Sequence, residues 1–239
     1  MSKTDEKFSK IRAYCKKNAN KTIEAKYARY FTEGYDAYGL DKTDFEQWTR
    51  WFEEWKEDMT FSDYLLLGDK LISTGKYEEA SYAIVLNARF INQYQKEHLD
   101  VFGRWLEKNI INWAHTDVLC GMILSHFLVK EIVTPHYFSS WTKSSSKWKR
   151  RAVPVTFIEI VNKGASISQL LKIIDPLMPD SEKFVQKGLG WFLREAWKIH
   201  PEKVEDYLMK WKDRCGRTIV QYATEKMDKE YRKRFARSK

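Results

Sequence analysis

The stretch KWKRRAVPVTFIEIV, residues 147–161, is a long, mostly apolar segment, and three further segments of similar length occur in the chain. They are KYEEASYAIVLNARF (residues 76–90), WAHTDVLCGMILSHFL (residues 113–128) and SEKFVQKGLGWFLREAW (residues 181–197). Their starts are 37, 34 and 34 residues apart. Shorter amphipathic segments lie between them, so the repeating unit is predicted to be a pair of helices.

The apolar residues elsewhere in the chain also recur with helical periodicity. Spacings of three and four connect Phe45, Trp48, Trp51, Phe52 and Trp55, and likewise Leu170, Leu171, Ile174 and Leu177. Alternating runs bounded by Asn-Gly or Asp-Gly turns are absent from the sequence. We therefore predict an all-α protein in which antiparallel helix pairs stack into an α-solenoid with a concave face. A closed bundle of unrelated helices is the alternative, because the repeat is visible in the pattern and not in residue identity.

Composition excludes several classes of protein. The chain has 239 residues, of which 43% are hydrophobic and 15% aromatic, which argues against disorder and suits one large domain or two small ones. We predict a single domain over residues 1–239. Three well separated cysteines and five histidines form no metal-ligand spacing and no disulfide framework, so we expect no metal and no cofactor. We expect no membrane segment and no export signal, and hence a cytoplasmic location.

Positive charge is concentrated in the C-terminal part of the chain. Residues 1–140 contain 19 Lys and Arg against 21 Asp and Glu, whereas residues 141–239 contain 23 against 12. This asymmetry favours a face that binds the phosphates of a nucleic acid, although a solubilising surface or a site for an acidic protein would give the same count. The basic tail, residues 226–239, is interpreted either as a non-specific DNA arm or as a frayed terminus.

The strongest local charge signal is WTKSSSKWKRR, residues 141–151, which has five basic residues, two tryptophans and no acid. Serines at a helix start offer hydroxyl and backbone N–H donors, and neighbouring cations add charge-assisted bonds to phosphate. The predicted phosphate-binding residues are Ser145, Ser146, Lys147, Lys149, Arg150 and Arg151. A solvated basic helix end is the alternative interpretation.

One helix is predicted to present an indole and a carboxylate together. Trp113 and Asp117 are four residues apart, which places them on one helix face, and Asn112 is a candidate cap. Asp117 and Arg151 are separated by 34 residues, one repeat, so they are predicted to project at similar heights from neighbouring long helices. A purely structural ion pair between these two residues is the alternative to a functional site.

A second indole lies in a helix that contains two glycines. Gly188 and Gly190 flank the middle of KGLGWFLRE, and each glycine weakens a helix by about 1 kcal/mol relative to alanine. Close approach of another backbone or of a ligand would explain them. Trp191 follows directly and is a candidate ligand contact, with inter-helix packing as the alternative.

Several of these motifs together resemble a known family. The stretches are YARYFTEGYDAYGLDKTDFEQWTRWF, NIINWAHTD, SSSKWKRRAVPV and FVQKGLGWFLREAWKIHP. From about residue 25 to about residue 225 they resemble the AlkD-type DNA alkylation repair glycosylases, which are built from HEAT-like helical repeats. The family commonly shows Trp-Asp-x-Val-Asp, whereas this chain has Ala114 and Thr116 at the second and fourth positions.

The resemblance implies an activity and a set of site residues. It implies a monomeric, monofunctional glycosylase that excises cationic N3- or N7-alkylated purines from duplex DNA in base excision repair. It further implies that Asp117 is catalytic, that Trp113 and Trp191 contact the lesion, and that Arg151 binds phosphate. Some relatives only bind DNA, so a non-catalytic module for distorted or branched DNA is one alternative and a protein-interaction scaffold is another. A narrow base-enclosing pocket is not evident from the sequence.

Overall fold

A computed structural model describes residues 2–238, and every regular element in that range is helical, which confirms the all-α prediction. The chain divides into two compact units, unit 1 (Met1–Ile123) and unit 2 (Leu124–Lys239). Among the described residues, no helix combines the length and apolarity needed to cross a bilayer.

Unit 1 contains eight α-helices among its described residues. They are α1 (Lys3–Lys17), α2 (Lys21–Ala28), α3 (Lys42–Phe45), α4 (Gln47–Trp55), α5 (Phe61–Ile72), α6 (Tyr77–Asn87), α7 (His98–Lys108) and α8 (Trp113–Leu119). Helix α5 packs against α1 and α6, and α6 also packs against α4 and α8. A 3₁₀ segment, Ala88–Gln93, follows α6, and a π-helical segment, Cys120–Leu124, follows α8.

Aromatic rings form much of the core of unit 1. Trp51 and Trp55 are 2% and 1% exposed, and their rings stack with centroids 5.7 Å apart. The ring of Tyr82, from α6, packs edge-on against Trp51 at 5.4 Å. The predicted helical face over residues 45–55 is interrupted at Glu46, which separates α3 from α4.

Unit 2 contains two rows of stacked helices. Its α-helices are α9 (Ser125–Val129), α10 (Lys147–Val161), α11 (Ile167–Ile174), α12 (Lys183–Trp197), α13 (Pro201–Trp211) and α14 (Arg217–Ala223). Three 3₁₀ segments accompany them, at Pro135–Lys143, Asp175–Leu177 and Tyr231–Phe235. Helix α12 packs between α10 and α14 in one row, and α11 packs between Pro135–Lys143 and α13 in the other. Each helix therefore stacks on the second helix along the chain, which is the packing of an α-solenoid.

The predicted helix starts agree with the structure to within two residues. The segments predicted to begin at residues 76, 113, 147 and 181 form helices that begin at Tyr77, Trp113, Lys147 and Lys183. The caps are local: the side chains of Asn112 and Ser146 accept hydrogen bonds from backbone N–H groups in the first turns of α8 and α10.

The two glycines of α12 lie where neighbouring helices approach closely. A Cβ atom on Gly190 would lie 2.4 Å from the Cβ of Tyr222 and 2.9 Å from the carbonyl oxygen of Ile219, both on α14. A Cβ atom on Gly188 would lie 3.2 Å from the side chain of Arg151 on α10. Close backbone approach, one of the predicted reasons for these glycines, is confirmed at Gly190.

The C-terminal tail packs back onto unit 2 as far as residue 238. Phe235 is 1% exposed, and the backbone N–H of Ser238 donates to Asp213 Oδ1 at 2.7 Å. The guanidinium of Arg237 donates to the carbonyl oxygen of Cys215 at 2.7 Å. The last residue of the predicted tail, 239, lies outside the described residues.

Candidate nucleic-acid interface and aromatic cavity

A buried polar chain fixes the start of α8. The Asn112 side-chain oxygen accepts from the backbone N–H of His115 at 2.9 Å, so the Asn112 amide nitrogen faces His115 Nδ1, also at 2.9 Å. Nδ1 is then the acceptor, and His115 Nε2–H donates to Ser81 Oγ at 2.9 Å. Ser81 in turn donates to the carbonyl oxygen of Tyr77. Burial lowers the pKa of His115 to about 4, so the imidazole is neutral at pH 7.

The structure places Trp113 and Asp117 together on α8. Four residues along an α-helix correspond to one turn and a rotation of about 40° about the axis. Both side chains are half-buried. The Trp113 indole N–H donates to the carbonyl oxygen of Tyr30 at 3.2 Å, and its ring stacks on Phe31 with centroids 5.9 Å apart. The orientation of this indole is therefore fixed by the chain segment that follows α2.

Beside Trp113 lies a cavity of about 670 Å³, formed within unit 1 by α2, the segment after it, α6 and α8. Seven aromatic residues contribute to its wall: Tyr27, Tyr30, Phe31, Tyr35, Phe45, Tyr77 and Trp113. The remaining lining residues include Ala114, His115 and Val118 from α8. Sequence reasoning missed this cavity, and the signal that could have found it is the density of aromatic residues between positions 27 and 45.

A buried carboxylate holds one wall of the cavity. Glu78 is 4% exposed and accepts hydrogen bonds from the backbone N–H groups of Tyr38, Gly39 and Leu40, at 2.8, 2.7 and 3.2 Å. Gly39 has φ +80°, and a Cβ there would lie 2.2 Å from the carbonyl oxygen of Asn20. The loop thus needs both a glycine and an acceptor at its centre, and it positions Leu40 in the cavity wall.

The predicted phosphate-binding residues gather at the start of α10 in unit 2. The Ser146 hydroxyl accepts from Lys149 N at 3.3 Å, which caps the helix. The Lys147 ammonium lies 5.2 Å from the ring centroid of Trp148, and the Lys149 ammonium lies 5.3 Å from that of Trp141. Ser145 is exposed and both lysines are partly exposed.

The two arginines of this group make internal contacts. The Arg150 guanidinium forms an ion pair with Asp180 at 2.6 Å and donates to the carbonyl oxygens of Ser144 and Ser145 at 2.8 and 3.0 Å. Arg151 is 5% exposed and donates to the carbonyl oxygen of Phe184 at 2.5 Å. Arg150 therefore braces the serine loop, and Arg151 ties α10 to the start of α12.

Trp191 lies on α12, directly after Gly190, which contacts α14, and directly before the buried residues Phe192 and Leu193. Its indole is half-buried and makes no ring contact or hydrogen bond with another residue of the described range 2–238. Within that same range, no group of three His, Cys, Asp or Glu side chains is arranged to hold a metal ion.

Comparison with known proteins identifies the family. A family model described as "DNA alkylation repair enzyme" matches residues 11–227. The chain belongs to the DNA alkylation repair enzyme family. This confirms the resemblance seen in the sequence, and it supports a role for the chain in the repair of alkylated DNA. A search of curated proteins found no significant match.

Solved structures of similar fold include three bacterial proteins. A predicted DNA alkylation repair enzyme from Enterococcus faecalis is 17% identical, with a TM-score of 0.77, over 89% of this chain and 98% of that one. AlkD2 from Streptococcus mutans is 20% identical, with a TM-score of 0.61, over 87% and 99%. The protein smu.31 from Streptococcus mutans UA159 is also 20% identical, with a TM-score of 0.58, over 77% and 92%.

The structure explains how this DNA alkylation repair family member accommodates its departures from the AlkD-type motif. Thr116 is fully buried, and its hydroxyl donates to the carbonyl oxygen of Asn112 at 2.9 Å. Threonine has the shape of valine. Because its hydroxyl is hydrogen-bonded, Thr116 can take the place of the family's valine in this buried position. Ala114 lines the aromatic cavity, so the position where the family commonly has an acid contributes here to an apolar wall.

Proposed function

We propose that this DNA alkylation repair protein is a monofunctional glycosylase that removes cationic N3- or N7-alkylated purines from duplex DNA by hydrolysis of the N-glycosidic bond. The observation that carries the proposal is the pairing of Asp117 with an orientationally fixed Trp113 on one face of α8, beside the aromatic cavity. The protein is proposed to act as a monomer, without metal or cofactor, on chromosomal DNA in the cytoplasm.

The chemistry requires one carboxylate. Alkylation at N3 or N7 gives the purine a positive charge, so the base leaves without the general acid on which ordinary glycoside hydrolysis depends. The deoxyribose then develops oxocarbenium character, which a fixed negative charge stabilises. Asp117 would supply that charge and orient the attacking water, and its half-buried position strengthens both interactions relative to bulk solvent.

Aromatic rings suit the cationic lesion. A cation over the face of a tryptophan gains about 0.5 to 2 kcal/mol, depending on how far water is excluded. Trp113 is fixed by a hydrogen bond and a stacking contact, so little side-chain freedom is lost when it binds. Trp191, whose indole lacks a ring partner within residues 2–238, is proposed as a further contact to the DNA.

Phosphate binding is assigned to the start of α10. The backbone N–H groups and the positive end of the helix dipole favour anions there, and Lys147 and Lys149 add positive charge. Both lysines lie over tryptophan rings, which limits the conformational freedom of their side chains. Arg150 and Arg151 contribute indirectly, because their contacts keep the serine loop and the helix in place.

The test is release of free base from three duplexes that carry one N7-methylguanine, one N3-methyladenine or one uncharged lesion, hypoxanthine. We expect free 7-methylguanine and 3-methyladenine, an abasic strand that breaks only after alkali treatment, and little or no hypoxanthine. Equal release of hypoxanthine would refute the role of base charge. Binding of all three duplexes without release of any base would show a non-catalytic DNA-binding module instead.

A further inference from the structure

We infer that His115 is a positioning residue, which holds the first turn of α8 against α6 and thereby sets the placement of Trp113 and Asp117. This inference rests on the proposed function and deepens it, because it names a residue on which the geometry of that site depends. His115 occupies the third position of the family motif Trp-Asp-x-Val-Asp, where the motif specifies no residue. The side chain is 4% exposed, so it acts through its neighbours and not by contact with DNA.

The polar contacts of His115 join two helices. Its Nε2–H donates to Ser81 Oγ on α6 at 2.9 Å, across 34 positions of the chain. Its Nδ1 faces the side-chain amide of Asn112, the N-cap of α8, also at 2.9 Å. Burial lowers the pKa of His115 to about 4, so at pH 7 the neutral ring keeps one acceptor and one donor. Because both nitrogens belong to one rigid ring, the two contacts are made together only over a narrow range of positions of this turn relative to α6.

A series of ring contacts leads from His115 back to Trp113. The imidazole centroid lies 4.5 Å from the ring centroid of Tyr77, and the Tyr77 centroid lies 5.3 Å from that of Phe31. Phe31 in turn stacks on the indole of Trp113 at 5.9 Å. Close-packed side chains transmit small displacements, so a shift of the imidazole changes the surroundings of the indole as well. His115 therefore acts on Trp113 both along the helix and through these rings.

Base release depends on this placement more than DNA binding does. Asp117 follows His115 by two residues in α8, which has seven residues, so the carboxylate moves with the first turn. A misplacement of about 1 Å in a catalytic site can reduce a rate about 100-fold. The proposed phosphate contacts, Lys147 and Lys149, belong to α10 in unit 2. Loss of the His115 contacts should therefore lower the rate of base release and leave the affinity for DNA unchanged.

The experiment measures the single-turnover rate of 7-methylguanine release at saturating protein, together with the protein concentration that gives half of that rate. Glutamine can place an amide nitrogen near the position of Nε2, so His115→Gln can still donate to Ser81. Asparagine can place an oxygen near the position of Nδ1, so His115→Asn keeps only the contact with Asn112. We expect a rate roughly tenfold lower in His115→Leu and His115→Asn, but within about threefold of the wild type in His115→Gln, at equal half-saturation.

Ser81→Ala removes the same contact from the other helix. Its rate should fall roughly as in His115→Leu, and the double variant should be no slower than His115→Leu, because both substitutions break one interaction. Thr116→Val is the matched control, since Thr116 is a buried neighbour whose hydroxyl bonds to the carbonyl oxygen of Asn112, the cap of its own helix. It should release base at the wild-type rate. A wild-type rate in His115→Leu, equal rates in His115→Gln and His115→Leu, or losses that multiply in the double variant would overturn the inference.

A second measurement reports the placement of Trp113 without base release. In protein labelled with fluorotryptophan, the fluorine NMR line that disappears in Trp113→Phe belongs to this indole. We expect that line to shift or broaden in His115→Leu and Ser81→Ala, and to stay close to its wild-type position in His115→Gln and Thr116→Val. All variants are compared at a temperature at which circular dichroism shows each of them to be folded.

The two measurements separate this inference from the proposed function. If the wild type releases no base, but the Trp113 line responds to the substitutions as expected, the positioning role stands and the glycosylase proposal fails. If the wild type releases base, while neither the rate nor the Trp113 line responds to His115→Leu, the glycosylase proposal stands and the positioning role is overturned.

Discussion

Glu78→Gln tests how strongly one buried carboxylate holds the cavity wall. The carboxylate accepts three backbone hydrogen bonds in the loop formed by Tyr38, Gly39 and Leu40. A hydrogen bond to a charged group contributes about 1.5 to 3 kcal/mol, and a neutral one about 0.5 to 1.5 kcal/mol. The glutamine amide retains one acceptor oxygen and turns a donor towards at least one N–H group. Loss of one hydrogen bond and weakening of the other two should lower the free energy of unfolding by about 2 to 4 kcal/mol.

The assay is urea unfolding at pH 7, read by circular dichroism, with native-state hydrogen exchange at the three loop amides. Glu57→Gln is the control, because Glu57 is exposed and its substitution should change stability by less than about 0.5 kcal/mol. In Glu78→Gln the loop amides should exchange faster than those of the core helices. A Glu78→Gln protein as stable as the wild type, with unchanged loop protection, would refute this account of the cavity wall.

Three other experiments, which use five substitutions, test separate parts of the structure. Gly190→Ala places a Cβ 2.4 Å from a side-chain atom and 2.9 Å from a backbone oxygen of α14, and should cost about 1 to 2 kcal/mol in thermal unfolding. Gly188→Ala meets only side chains, at 3.2 Å or more, and should change stability by less than about 1 kcal/mol; equal losses would contradict this contrast. The depressed pKa of His115 means that the unfolded chain binds a proton first as pH falls below 6.5, so this histidine should contribute a loss of about 3 kcal/mol of stability towards pH 4. His115→Gln should flatten that decrease, and an unchanged slope would contradict the assignment. Lys149→Gln should reduce the salt dependence of DNA binding by about one unit of slope, whereas Arg150→Gln should weaken binding without changing the slope; a reduced slope in Arg150→Gln would show that its guanidinium contacts phosphate.

Local signals made the helices predictable. The start of α10 follows from an apolar segment with a serine directly before it, and the start of α8 follows from Asn112 in the same way. Both signals act within four residues of the chain. Helical spacing also predicted that Trp113 and Asp117 share one face of α8, because four residues make about one turn.

Long-range contacts were not predictable. The ion pair between Arg150 and Asp180 spans 30 positions, and nothing in the basic stretch indicates that this guanidinium is used internally. The hydrogen bond from Trp113 to Tyr30 spans 83 positions, and both residues line the cavity. Periodicity shows which face of a helix is apolar, but it does not show which distant segment covers that face.

The most direct test of the central claim is the single-turnover rate of 7-methylguanine release from a duplex with one N7-methylguanine, compared between the wild type and Asp117→Asn. Asparagine keeps the size of the side chain and removes its charge, so affinity for the unmodified duplex should stay the same. We expect the rate to fall at least about 100-fold, as for the loss of one electrostatic stabiliser of a transition state. Equal rates at equal DNA affinity would contradict the assignment of catalysis to Asp117.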